Sequence, residues 1–228
     1  MRARTYRTIF WALALAGFLG DQATKYRVFE WLYHPNSEGS TAVVQVTQQS
    51  HDGTVQVIEG SYQVIPGVFR LLSQFTGQHE TGSGLLASLR AWKNDALPAV
   101  NHGALFGLGR EHRALANGIF AGVSILAAVA IGYWGLRRLS SKDGLLSVAL
   151  GLILAGTLGN LYDRLVYGGV RDFLHFYWFE WPVFNVADCC LVCGAGLLLI
   201  QAFWAHPDHQ SKSIATTEKS LAEVAEVK

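Results

Sequence analysis

The sequence predicts an all-α membrane protein of four transmembrane helices carrying an enlarged extracytoplasmic β-rich cap. Three observations lead there. Half of the 228 residues are hydrophobic and only 15% are charged, with a mean hydropathy of +0.23. That balance suits a chain with several bilayer spans better than a soluble core. Apolar runs recur near 8–20, 114–136, 145–160 and 186–205, and residues 34–100 interrupt them with polar, alternating sequence. The implied division is 1–33 for the first helix, 34–113 for the cap, 114–205 for helices two to four with their last loop, and 206–228 for a cytoplasmic tail.

Arg2, Arg4 and Arg7 before an apolar run imitate a signal peptide. No small-x-small site follows; Gly20-Asp21-Gln22-Ala23-Thr24-Lys25 does, and the helical pattern runs on to about Tyr33. The segment therefore reads as an uncleaved first span with Asp21 at or just inside the far interface. In the cap, residues 42–46 and 54–58 flank His51-Asp52-Gly53 and read as a hairpin. Residues 62–65 and 68–72, parted by Pro66-Gly67, read as two more short strands. Leu85, Leu86, Leu89 and Trp92 share one face of a short amphipathic helix over 84–92. It fits either a membrane interface or a cover for a small sheet. The second and third spans are joined by a tight turn holding Arg137, Arg138 and Lys142. The tail from 206 is polar and charged, a weak helix or disordered.

Four spans put both termini on one side, together with Arg137, Arg138 and Lys142. The positive-inside rule makes that side cytoplasmic. The end of span one (Asp21), the approach to span two (101–106), the end of span three (Asn160, Asp163) and the start of span four (Asn185, Asp188) then share the outer face. A formal net charge of +1 gives no sign of nucleic-acid binding. The cysteines at 189, 190 and 193 lie inside an apolar run and read as small helix residues rather than a disulfide or zinc framework.

The stretch 156–188 concentrates the polar side chains. Ionisable groups beside hydrocarbon are expensive and mark functional sites by default. Asp172 and Asp188 can form a carboxylate pair sharing a proton, one acting as base and the other as acid on a peptide carbonyl. Both could instead be helix caps. Asp163 and Arg164 read as a helix-end ion pair and cap that scaffold the pair. Asn160 lies near the same helix face. Asp21 is an interface anchor or a support to the site. Asn101 and Asn185 either bond a substrate backbone or tie down a loop. His102 and His175 have no second ligand at useful spacing, so structural roles are expected. The ring-rich run 176–179 with Trp181 fits an interfacial belt or, less well, an acyl-chain groove. Ser140-Ser141-Lys142 lies on the cytoplasmic turn and is dismissed as a nucleophile.

At these residues the chain resembles the lipoprotein signal peptidase (signal peptidase II) family of aspartic membrane proteases. Asp21-Gln22-x-x-Lys25 is similar to the family's first-helix motif, and Val64-Ile65-Pro66-Gly67 to the segment leading its outer strands. Asn101-x-Gly103-Ala104-x-Phe106 looks like its N-x-G-x-x-F motif. Gly159-Asn160-x-x-Asp163-Arg164, Val170-x-Asp172-Phe173 and Phe184-Asn185-x-Ala187-Asp188 resemble its three C-terminal motifs, in order. The resemblance implies catalysis by Asp172 and Asp188. Asp21, Asn101, Gly103, Asn160, Asp163, Arg164 and Asn185 would bind substrate or support the site. The implied substrate is a prolipoprotein with a diacylglyceryl cysteine, cut just before that cysteine at the outer face of the bacterial inner membrane. Globomycin-type peptides would inhibit it, membrane lipid would surround it, and a monomer without metal or organic cofactor is expected.

The chain departs from that pattern in four places. Residues 34–100 are longer than is usual. Leu105 stands where a smaller residue is usual, and Arg171 where an apolar one is. The link from Asp172 to Asp188 looks slightly short. An inward guanidinium at 171 should lower the pKa of Asp172, and an outward one should leave it alone. Two other classes remain open from residues alone: an ion-coupled transporter using the carboxylates as relays, and a scaffold using the cap to bind a partner.

Overall fold

The computed structural model describes residues 2–33, 41–50, 53–76, 97–103, 113–137, 144–179 and 181–204. The order is α1 (Arg2–Tyr33), β1 (Thr41–Ser50), β2 (Gly53–Ile65), β3 (Phe69–Thr76), β4 (Leu97–Pro98), α2 (Arg113–Arg137), α3 (Gly144–Tyr167), β5 (Leu174–Phe176) and α4 (Val186–Trp204). The amphipathic helix expected over 84–92, Ala104 to Phe106, the turn at 140–142 and the tail lie outside the described residues.

Helix α3 is the centre of the bundle, packed against α1, α2 and α4. Small residues allow the close approach, as expected where helix contact cannot be driven by escape from water. Gly17 of α1 lies on Ala155, Gly151 under the Phe10 backbone, and Gly156 on the Ala187 carbonyl of α4. Phe10, Ala14 and Leu154 form the buried core at this level. α2 and α4 leave most of their apolar length exposed, as lipid-facing helices do.

Three helices are long and apolar enough to cross a bilayer: Ala114–Leu136, Gly144–Tyr167 and Val186–Phe203. The sequence reading expected four. α1 does not qualify, because Asp21, Gln22 and Lys25 interrupt its apolar run. α1 is nonetheless one unbroken helix of 32 residues, about 48 Å long at 1.5 Å per residue. Its first half lies against α3, and its last turns carry the sheet. Phe29 and Tyr33 meet Phe75 edge-on at 5.7 and 4.7 Å between ring centroids, and Phe173 closes this second core.

The all-α label needs correcting, since a five-stranded antiparallel sheet accompanies the helices. Its order is β1-β2-β3-β4, with β5 also on β3. The expected hairpin is present, β1 pairing antiparallel with β2 and Ser50 lying opposite Gly53. Residues 62–65 are not a separate strand; they are the end of β2, which pairs with β3 from Val57 to Ile65. The alternation of side chains continues through Gly60, which has no Cβ to meet the Leu32 carbonyl, so no break occurs there.

The free edge of β3 places the site. β4 pairs with its C-terminal end at Phe75 and Thr76, and β5 with its N-terminal end at Phe69 to Leu71. Chain leaving β4 meets chain entering β5 in a bridge between Asn101 and Val170. Their main chains exchange hydrogen bonds of 2.7 and 2.8 Å. Asn101 and Asp172, 71 positions apart in sequence, become neighbours by this route. β5 comes from the loop between α3 and α4, so the cap is not built from 34–113 alone.

Candidate active site

α4 begins with a reciprocal cap. Asn185 Oδ1 accepts from the Asp188 amide at 3.0 Å, and Asp188 Oδ2 accepts from the Asn185 amide at 3.2 Å. The arrangement satisfies two amides that a helix start leaves orphaned. Asp188 is therefore a capping residue, as the alternative reading allowed. Its other oxygen is turned to Asn160, whose Nδ2 donates to Oδ1 at 2.8 Å.

Asp172 caps nothing. Its Oδ1 accepts from Asn185 Nδ2 at 2.7 Å and its Oδ2 from Asn101 Nδ2 at 3.0 Å. Asn185 thus bonds to both aspartates, one through its side chain and one through its backbone. All four carboxyl oxygens are held by amides. Burial, more than the nearby Asp188 charge, pushes the Asp172 carboxyl up to about 6, against the opposing pull of Asn101, Asn185 and Lys25.

Behind the pair lies a buried ionic core. Asp21, Lys25, Asp163 and Arg171 are all fully buried. Lys25 Nζ lies 2.8 Å from Asp21 and 3.3 Å from Asp163. Arg171 Nη2 lies 2.7 Å from Asp163. Two carboxylates and two cations cancel, which is what makes such a core tolerable. Lys25 also donates to Asn160 Oδ1 at 3.3 Å, fixing which way that amide faces and aiming its Nδ2 at Asp188. Asp21 reaches across to accept from the Ala187 amide of α4 at 2.9 Å. It thereby ties α1 to the start of α4, where a helix favours negative charge.

Asp163 pairs with Lys25 and Arg171, not with Arg164 as the sequence suggested. The physical reason is helical phase: Asp163 points into the bundle, and its successor in α3 turns away. The Arg164 guanidinium lies over the Phe120 ring at 4.7 Å, within electrostatic reach of Asp172 and Asp188. Arg171 takes the inward alternative, with its guanidinium paired to Asp163. The Asp172 carboxyl nevertheless stands above the usual carboxylate range, because burial outweighs the groups that pull it down.

Gly103 donates its amide to Asn101 Oδ1 at 2.8 Å, which leaves the Asn101 Nδ2 free to face Asp172. Its φ of +85° suits glycine, and an added Cβ would stand 2.5 Å from Phe120 Cε2. Gly103→Ala is expected to lower stability by about 1–3 kcal/mol and to weaken catalysis by tilting Asn101. Thermal unfolding in detergent checks the first effect, and no change in melting temperature would refute it.

His102 bonds to the Gly168 carbonyl at 2.9 Å, and His175 accepts from Arg70 Nε at 3.0 Å. Both are tied into loop and sheet. Trp178, Phe179 and Trp181 are exposed, while Phe176 packs between Phe69 and Phe184. Gln22, Lys25 and Arg171 are the site residues that sequence reasoning undervalued. The signal was present for Lys25: an acid and a base four apart within an apolar helix share one face.

A family model described as signal peptidase (SPase) II matches residues 93–204. Among curated relatives, a lipoprotein signal peptidase of Methylobacterium sp. (strain 4-46) is 43% identical over 46% of this chain and 63% of its own length. That of Vibrio cholerae serotype O1 is 35% identical over 50% of this chain and 67% of its own. That of Methylorubrum extorquens (strain PA1) is 39% identical over 53% and 70%. The chain thus spans somewhat under two thirds of the Methylobacterium relative it matches. A solved bacterial membrane enzyme shares the fold, with a TM-score of 0.54 and 21% identity over 87% of this chain and 91% of that one. With its motifs in the family's order and relatives matched over two thirds of their length, the chain belongs to the lipoprotein signal peptidase (signal peptidase II) family.

Proposed function

We propose that the protein is a membrane-embedded aspartic endopeptidase that removes the signal peptide from diacylglyceryl-modified prolipoproteins, just before the lipidated cysteine. One observation carries the reading: Asn185 bonds to Asp172 and Asp188 at once, so the two carboxyls are neighbours at the start of α4. Family membership supports the substrate class.

The pair works with one proton. Asp172, pushed up to about 6, is suited to hold it. The ionised carboxylate takes a proton from water as the water oxygen bonds to the scissile carbonyl carbon, and the held proton goes to the carbonyl oxygen. The carbon–nitrogen bond then breaks. The leaving amine takes a proton from the pair while a hydroxyl of the collapsing diol returns one to it, so the pair again holds one proton. Asn101, Asn160 and Asn185 hold the carboxyls in register, and Gly103 holds Asn101. Arg164 offers positive charge to the developing oxyanion.

The three apolar helices support a membrane protein. We further place α1 as a fourth span, with Asp21 and Lys25 screened from lipid by their burial against α3. Both termini would then lie in the cytoplasm and the site at the outer face of the inner membrane. We take the protein to act as a monomer.

Incubation with a diacylglyceryl prolipoprotein should produce a faster-migrating product, and globomycin should block it. An unshifted band would remove the reading. The profile of kcat/KM against pH is expected to have a basic limb near pH 6, where the free pair loses its last proton. A profile flat from pH 5 to 8 would contradict the shared proton.

A further inference from the structure

Arg171 stands immediately before Asp172 and is fully buried. Its amide donates to Asp163 Oδ2 at 2.9 Å, its Nε to the same oxygen at 3.2 Å, and its Nη2 to Asp163 Oδ1 at 2.7 Å. One carboxylate therefore holds both the main chain and the side chain of one residue. Nη2 also donates to Gln22 Oε1 at 2.8 Å. The guanidinium carbon lies over two rings, 4.4 Å from the Tyr26 centroid and 4.1 Å from that of Tyr167. Those rings are linked in turn, the Tyr167 hydroxyl to that of Tyr26 at 3.0 Å and Tyr26 to Tyr162 at 2.8 Å. A forked bond to one carboxylate with two rings close to the guanidinium is what an arginine can satisfy and a lysine cannot.

The chain is thus pinned on consecutive residues just before the aspartate. Val170 is held by its bridge to Asn101, and Arg171 by Asp163 of α3. We propose that Arg171 is a positioning residue: by clamping onto Asp163, Gln22 and the two tyrosines, it fixes the backbone from which the Asp172 carboxyl reaches Asp188. It touches neither substrate nor reacting atoms. It also neutralises Asp163, so that the ionic core behind the pair stays balanced. The inference rests on the reading of Asp172 as catalytic, but its geometry is testable without it.

The groups facing Asp172 are Asp188 of α4, Asn185, Asn101, Lys25 of α1 and Arg164 of α3. Removing the Arg171 charge leaves Asp163 partly uncompensated behind them. Extra negative charge favours the protonated form of Asp172, so its titration must move upward.

The test compares Arg171→Leu and Arg171→Lys with the parent protein in lipid nanodiscs. Infrared titration of the carboxyl band reads Asp172 directly, with Asp172→Asn to assign it. Cleavage of a lipidated prolipoprotein reads kcat and KM. Arg171→Leu is expected to raise the Asp172 titration point by about one pH unit. It should lower kcat about tenfold or more, with KM within about twofold. Arg171→Lys, which keeps charge but loses the fork, should leave the titration near the parent value and recover only part of kcat. An unmoved titration in Arg171→Leu, or a loss confined to KM, overturns the proposal. So does an equal loss of kcat in both variants with no shift. If the parent protein does not cleave the substrate yet the titration moves as stated, the activity reading fails and the positioning role survives.

Discussion

Asp172→Asn is expected to abolish cleavage of a lipidated prolipoprotein, by roughly 10⁴-fold or more, without unfolding the protein. The loss follows from removing the group that holds the working proton. Stability is the sharper test. The Asp172 carboxyl sits at about 6 in the folded protein, raised from 3.8. A raised carboxyl helps the folded state fully below the unfolded value, and that help is lost as pH rises through the folded value. Above pH 6 the ionised side chain costs up to roughly 3 kcal/mol. Asparagine is never ionised and escapes this cost. Against it, asparagine offers one oxygen where the aspartate offered two to the amides of Asn101 and Asn185, leaving one donor facing a donor. The stability of Asp172→Asn relative to the parent should therefore rise between pH 4 and pH 7. Melting temperatures in detergent across that range check it; a difference independent of pH would refute the buried, raised carboxyl. Asp188→Asn should be equally inactive. Wild-type cleavage by either variant would end the assignment.

Lys25→Met is expected to be the most destabilising single change in the ionic core. It leaves Asp21 and Asp163 buried with Arg171 as the remaining cation among the described residues of that core. Breaking a buried pair by removing one partner costs about 3–5 kcal/mol. Asp21 would lose its 2.8 Å partner, and Asn160 Oδ1 one of its two donors, keeping that from Asn185. Activity should fall as well, because Asn160, held by one donor fewer, aims its Nδ2 at Asp188 less firmly. Adding Asp21→Asn to Lys25→Met removes the uncompensated charge and should restore part of the stability, though not the lost donor on Asn160. Contacting groups couple in this way, while independent sites add. Thermal unfolding of the two single variants and the double variant completes the cycle. A Lys25→Met protein melting within a degree of the parent would show that the pair is not closed as described.

Much of this was legible from residues alone. The apolar runs of α2, α3 and α4 announced themselves, because a bilayer demands about 20 apolar residues in succession. The pairing of β1 with β2 followed from alternation around a turn-forming glycine. Asp172 and Asp188 stood out because carboxylates beside hydrocarbon are costly and hence few. α1 was harder. Its charges look like an interruption until one sees that they face each other and α3.

Composition, period and rarity are local properties, so they survive in a linear reading; they were enough for the membrane class, for the β1–β2 hairpin and for naming the two acids as candidates. Partnership is not local. Whether Asp163 meets Arg164 or Arg171, and whether Asn101 lies beside Asp172, depends on which edges of β3 are occupied and how α1 packs on α3. A buried charge takes the partner that geometry brings within hydrogen-bond reach, and that choice is made only when distant segments are folded together.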